Sequence, residues 1–181
     1  ILLEKDLTGY NVKETLNLLI KQDKPISEFI TNLTGITNEM LNSVGVSEDL
    51  AFNALDNLID EDTLLVAYNL AFDIGFLFNM YQRYVSKTYA ISNDILDCMA
   101  VYKDRYEYPH KLLSAVEKFS LVNENAHRAS DDALATFKVL EKLAEQEDNL
   151  ALYVNVLGFN PKYKEPETYF FRNVIKKVPQ G

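Results

Sequence analysis

Apolar and polar positions follow two periods along the chain, and the switches between them divide it into strands and helices. Ile1 to Glu4 and Thr15 to Ile20 are short apolar-rich runs on either side of Leu7-Thr8-Gly9-Tyr10-Asn11, a link of the kind that joins hairpin strands. An antiparallel pair is expected there. In Pro25-Ile26-Ser27-Glu28-Phe29-Ile30 the Ser27 hydroxyl can accept from a free amide of a first helical turn, so a short helix starts at Ser27 and stops at Gly35. Asn38 to Asn42 is a second short helical or turn segment. From Ser47 to Ile59, Leu50, Ala51, Ala54, Leu55 and Leu58 recur at spacings of three and four, which marks one helix face.

Thr63 to Ala67 is a continuous apolar run with branched residues, the pattern of a strand buried on both faces. In the helix after it, Ile74, Leu77, Phe78, Tyr81 and Val85 form one stripe, which puts Asp73 in the opening turn. Asp94 to Asp97 reads as a short strand. Lys111 to Phe119 reads as a helix with Leu112, Leu113, Val116 and Phe119 inward, and Ser130 to Gln146 as a long helix burying Ala133, Phe137, Leu140 and Ala144. Strands alternating with helices predict a layered α/β domain with a mixed sheet. Ligands of such open sheets gather beyond the carboxyl ends of strands, and Asp73 falls at such an end.

At 181 residues the chain fits one domain with a sizeable core. No apolar run reaches the roughly 18 to 20 residues that cross a bilayer, and no basic segment followed by an apolar stretch marks a secretory signal. No membrane association is expected. The single cysteine, Cys98, excludes an intrachain disulfide and a cysteine-rich metal site, in keeping with a cytoplasmic protein. A net charge of −9 argues against tight non-specific binding to nucleic acid, because that affinity comes from lysines and arginines neutralising phosphates. An enzyme that holds phosphates through metal ions needs only a local basic rim. From Pro161 onward, Lys162, Lys164, Arg172, Lys176 and Lys177 outnumber Glu165 and Glu167, so positive charge concentrates there.

Two stretches carry the candidate chemistry. Ala126-His127-Arg128-Ala129-Ser130-Asp131-Asp132-Ala133 places one of two histidines five positions before an aspartate that opens an apolar-periodic helix. Ala67-Tyr68-Asn69-Leu70-Ala71-Phe72-Asp73 places an aspartate where a strand turns into a helix. Carboxylate oxygens bind hard divalent cations, and two cations about 3.5 to 4 Å apart can clamp the attacking and leaving oxygens of a phosphodiester. A histidine titrates near neutrality and can take a proton from water. Five helical residues would turn His127 about 140° away from Asp132, so His127 belongs to the loop ahead of that helix. Asp97 reads as a structural acid at a strand end, capping neighbouring backbone amides.

In order, Leu33-Thr34-Gly35-Ile36-Thr37, Tyr68-Asn69-Leu70-Ala71-Phe72-Asp73, Asp97, His110-Lys111-Leu112 and His127-Arg128-Ala129-Ser130-Asp131-Asp132-Ala133 closely resemble the DEDDh (DnaQ-like) family of 3′-to-5′ exonucleases. The similarity points toward the branch of the DNA polymerase III epsilon subunit and the exonuclease domain of replicative polymerases. It implies an RNase H-like exonuclease fold, with a mixed central sheet flanked by helices. It also implies two divalent cations, Mg²⁺ or Mn²⁺, bound by four carboxylates, and release of nucleoside 5′-monophosphates from the 3′ end of single-stranded DNA in proofreading or repair.

By that resemblance Asp73 and Asp132 are metal ligands and His127 is the general base, while Asn69, Phe72 and Thr37 contact substrate. Tyr68 stands where the family commonly has histidine. The family's first motif, Asp-x-Glu-Thr-Thr-Gly, is not found. Glu4-Lys5-Asp6-Leu7-Thr8-Gly9 imitates it with the acids exchanged, but the interval to Pro25 is too short for two further strands. The expected arrangement therefore makes Ile1 to Asp6 the second strand and Val12 to Ile20 the third, with the first lying before Ile1. Residues 1–150 are expected to form the exonuclease domain, and 151–181 a C-terminal extension without a readable role. The other readings are an RNA 3′-to-5′ exonuclease and a catalytically silent module that binds a DNA polymerase subunit or a nucleic-acid end.

Overall fold

The computed structural model describes residues 1–7, 9–122 and 128–180. The chain divides into two compact units, Ile1–Asp60 with Glu124–Leu134 and Glu61–Asn123 with Ala135–Gly181.

In the first unit, β1 (Leu2–Asp6) pairs antiparallel with β2 (Gly9–Glu14), with Asp6 opposite Gly9 and Leu3 opposite Val12. The antiparallel pair is the expected one, but its second strand ends where the sequence pattern starts it. Gly9, at φ 133°, adopts a backbone conformation open to glycine, so the return ladder begins at once. Ile20 then makes an isolated parallel bridge to Val46. Helix α1 (Glu28–Thr34) starts as predicted, the Ser27 hydroxyl accepting from the Ile30 amide, and ends at Gly35 with φ 68°. Helix α2 (Asn38–Val44) is capped by Thr37, whose Oγ1 accepts from the Met40 amide at 3.1 Å. Helix α3 (Glu48–Asp56) buries Ala51 and Phe52.

The second unit is built on β3 (Leu65–Ala67) and β4 (Ile95–Asp97), paired parallel with Ala67 opposite Asp97. Side chains alternate across a strand, and β4 uses both faces. Ile95 enters a cluster with Leu70, Ile74 and Phe78 of α4 (Leu70–Tyr84), while Leu96 enters a second cluster. That second cluster takes Val101 from α5 (Cys98–Arg105), Val116 from α6 (Leu112–Lys118) and Val139 and Leu143 from α7 (Ala129–Gln146). Burial on both faces, expected of Thr63 to Ala67, thus belongs to β4. Val66 of β3 is 41% exposed.

The stripes of α4, α6 and α7 also differ from the pattern. The buried seam of α7 is Ala135, Thr136, Val139 and Leu143, about one residue from the predicted Ala133, Phe137, Leu140 and Ala144, and Ala133 is exposed. One residue is about 100° of helix, so an alanine-rich stretch with apolar groups on two sides leaves the choice to tertiary packing. Val85 and Leu113, expected inward, are exposed; Val85 is already past the end of α4.

The tail contributes β5 (Val156–Phe159) and β6 (Lys176–Pro179), a parallel pair. Leu157, Phe170 and Phe171 share the cluster that holds Ile95. Asn155 ties this segment to β4, its Nδ2 donating to Asp94 Oδ1 at 2.7 Å and its Oδ1 accepting from the Ile95 amide at 3.2 Å. Among the described residues the ladders form three two-stranded sheets, one antiparallel and two parallel, and no helix is long and apolar enough to cross a membrane.

Candidate active site

The junction from β3 into α4 sets the direction of the helix that carries Asp73. Asn69 occupies the left-handed region at φ 65°, ψ 53°, a conformation that asparagine tolerates better than other side-chain-bearing residues. Its amide donates to Asp97 Oδ1 at 3.0 Å, and the Met99 amide donates to the same oxygen at 3.0 Å. One carboxylate therefore fixes the starts of α4 and α5. Asp97 is 1% exposed, and burial pushes its carboxyl up to about 6 against the opposing pull of the Leu70, Met99 and Asn69 amides. The capping role read from sequence is what the structure contains.

Tyr68, where histidine is common in the family, donates its hydroxyl to the His110 carbonyl at 3.0 Å. Burial raises the Tyr68 phenol beyond its ordinary range, so it serves as a neutral donor. The His110 ring lies 2.9 Å from the Tyr106 carbonyl through Nε2. These bonds link the β3–α4 junction to the loop ahead of α6. They were not foreseen from the sequence, and the one readable signal was an asparagine at a strand-to-helix turn.

Asp73 sits in the first turn of α4 on its exposed side. Phe72, 64% exposed, and Phe76, 67% exposed, lie on the same helix with ring centroids 5.3 Å apart. Asp132 sits in the first turn of α7, its amide donating to the Arg128 carbonyl at 2.9 Å. Arg128 Nη2 donates to the Gly35 carbonyl at 3.4 Å, so the Gly35–Thr37 stretch and the start of α7 meet within the first unit. Thr37, the candidate substrate contact, has its hydroxyl engaged as the α2 cap. Asp73 belongs to the second unit and Asp132 to the first. His127 lies outside the described residues.

Asp73 and Asp132 offer the oxygen donors that a hard divalent cation takes, and in that sense fit such an ion. Among the described residues no three His, Cys, Asp or Glu side chains are grouped so as to hold a metal.

A family model described as Exonuclease, RNase T by name, matches residues 3–140. The chain belongs to this exonuclease family. It is similar to the PolC-type DNA polymerase III of Latilactobacillus sakei, with 32% identity over 152 residues, 83% of this chain and 10% of that one. It is also similar to its counterparts in Streptococcus mutans, 29% identical over 88% of this chain and 11% of that one, and Caldanaerobacter subterraneus, 30% identical over 74% and 10%. The chain thus spans about a tenth of the length of these curated relatives. Among solved structures, the zinc-bound Escherichia coli ExoI–ssDNA complex matches 72% of this chain and 32% of that one, with a TM-score of 0.62 and 20% identity. At that identity the likeness speaks for the fold alone. The fold is the α/β, RNase H-like one of these DnaQ-like exonucleases.

Proposed function

We propose that this chain is a 3′-to-5′ exonuclease that removes nucleoside 5′-monophosphates from the 3′ end of single-stranded DNA, in company with a DNA polymerase. The observation that carries this reading is the family match across residues 3–140, which takes in Asp73, His127 and Asp132. Support for the substrate comes from relatives that are DNA polymerases and from a fold neighbour crystallised with single-stranded DNA.

In this reading, Asp73 and Asp132 supply carboxylate oxygens to divalent cations, Mg²⁺ or Mn²⁺. When bound, such ions neutralise charge that builds on the scissile phosphate. His127 takes the proton of the attacking water as its oxygen bonds to phosphorus and the bond to the 3′ oxygen breaks. The buried Asp97 touches neither water nor phosphate. It holds the Asn69 turn, and so keeps Asp73 at a fixed angle to β3, as a site that must position a charge within a fraction of an ångström requires. Phe72 and Phe76 offer the terminal base an exposed aromatic face, and stacking of this kind is worth about 1–3 kcal/mol per base.

The test is a single-stranded oligonucleotide labelled at its 5′ end and incubated with the full chain and Mg²⁺. A ladder shortening one nucleotide at a time from the 3′ end is expected, and its loss on adding EDTA. Intact substrate, or cleavage that EDTA leaves unchanged, would refute the proposal.

A further inference from the structure

A cleft of about 870 Å³ opens within the second unit, between the loop ahead of α6 and the stretch that follows β5. Its size is that of a ligand site, roughly 300–1,000 Å³, and its charge is opposite to that of the chain. Lys103, Lys111, Lys162 and Lys164 line it with a single acid, Glu107, and although Lys164 is ion-paired with Glu167 the lining stays net positive in a molecule whose net charge is −9. Tyr108, 81% exposed, and Tyr163, 76% exposed, stand among the lysines. Large exposed tyrosines interleaved with lysines are poorly explained as a solvated face, because their rings gain nothing from water.

Two further observations concern the ends of this cleft. Asn69 lines it, and Asp73 follows four residues later on α4, about 6 Å along the helix axis. Gln180, buried and also lining it, donates through Nε2 to the Ala100 carbonyl at 2.9 Å, while its Oε1 is buried with no hydrogen-bond partner among the described residues. Gly158 makes room for this amide, since a Cβ there would collide with Gln180 Oε1.

We propose that this cleft seats a few nucleotides of the single strand behind its 3′ end. Phosphates run past Lys111 and Lys162, and bases stack on Tyr108 and Tyr163. The combination of a basic groove with aromatic platforms is the chemistry that holds single strands without regard to sequence, since every base has a π-face. An acidic polypeptide would match the charge but not the two rings. The wall carrying Lys162, Tyr163 and Lys164 lies beyond residues 3–140, so the family match does not account for it. The direction of the strand rests on the exonuclease reading above. Binding to the cleft does not.

The experiment measures fluorescence anisotropy of labelled 12-nucleotide dT and U strands in EDTA, with the full chain and its Lys111→Glu/Lys162→Glu variant. Affinity is expected to fall at least tenfold for both strands. The slope of log K against log salt should flatten by about 1.4, from two fewer phosphate contacts at about 0.7 each. Tyr163→Ala should weaken binding with the slope unchanged. With Mg²⁺, KM for the 12-mer should rise. A full chain that binds strands through these lysines but hydrolyses nothing would sink the exonuclease reading and leave the cleft standing. Unchanged 12-mer affinity in the double variant would overturn the cleft, as would a poly-glutamate peptide bound as tightly as the 12-mer.

Discussion

Asp97 and Asn69 stand 28 residues apart in sequence and are joined by a 3.0 Å hydrogen bond from the Asn69 amide to the Asp97 carboxylate. The bond spans the carboxyl ends of the two parallel strands β3 and β4, where Ala67 faces Asp97 across the ladder. An acid that a nuclease reading could enlist as a ligand is thereby committed to the backbone. The aspartate that remains exposed at this end of the sheet, Asp73, is the one in the first turn of the helix that Asn69 opens.

Burial raises the Asp97 carboxyl to about 6, against roughly 3.9 in an unfolded chain. Because the folded value is the higher one, its contribution to stability is fullest below the unfolded value and declines as pH rises toward and past 6. Asp97→Asn keeps an acceptor for the Asn69 and Met99 amides and cannot ionise. In urea unfolding at a series of pH values, the variant should gain on the parent between pH 5 and 7.5 by about 1–3 kcal/mol. A difference that does not change with pH would contradict a buried titrating carboxylate. Asp97→Ala removes the acceptor as well, and should be less stable than Asp97→Asn by on the order of 1–3 kcal/mol.

Asn69 is a point of backbone strain, at φ 65°. Glycine enters the left-handed region without cost, whereas a β-carbon without a polar partner costs roughly 1–2 kcal/mol there. Asn69→Gly should retain parental stability within about 0.5 kcal/mol, and Asn69→Val should lose at least ~1 kcal/mol, in thermal or urea unfolding. Equal losses would show that the turn does not depend on its backbone angle.

The seam of α7 separates two readings of one helix. Leu143 is fully buried and Ala133 exposed. Leu143→Ala should cost about 2–5 kcal/mol, and Ala133→Ser no more than ~0.5 kcal/mol. The reverse order would restore the stripe that the sequence pattern alone suggests.

Local signals were the ones legible in the sequence. Ser27 and Gly35 bound α1 as their chemistry requires, Thr63 to Ala67 and Asp94 to Asp97 contain the two parallel strands, and the placement of Asp73 in an opening turn followed from the α4 stripe. What failed depended on partners distant in sequence. The α7 seam is chosen by the helices it packs against, and α5 has so many buried residues around its circumference that no stripe marks it. The tail, which the sequence marks only as a basic extension without a readable role, fills the core through Leu157, Phe170 and Phe171 and holds β4 through Asn155, contacts that no local period reports. At the candidate site, motif order named Asp73 and Asp132, but the Tyr68–His110 and Asn69–Asp97 bonds came only from the folded chain.

In the proposed function Asp73 and Asp132 serve the hydrolytic chemistry rather than the fold, both standing in first helical turns where a carboxylate also suits the helix dipole. The most direct measurement is the rate of nucleotide release from a 5′-labelled single strand in Mg²⁺ by the full chain and by Asp73→Asn and Asp132→Asn, each checked for stability by urea unfolding. Each variant is expected to lose at least 10³-fold in rate, which is about 4 kcal/mol of barrier, while its unfolding free energy shifts by no more than ~1 kcal/mol. Parental rates in either variant, with the fold intact, would contradict the account.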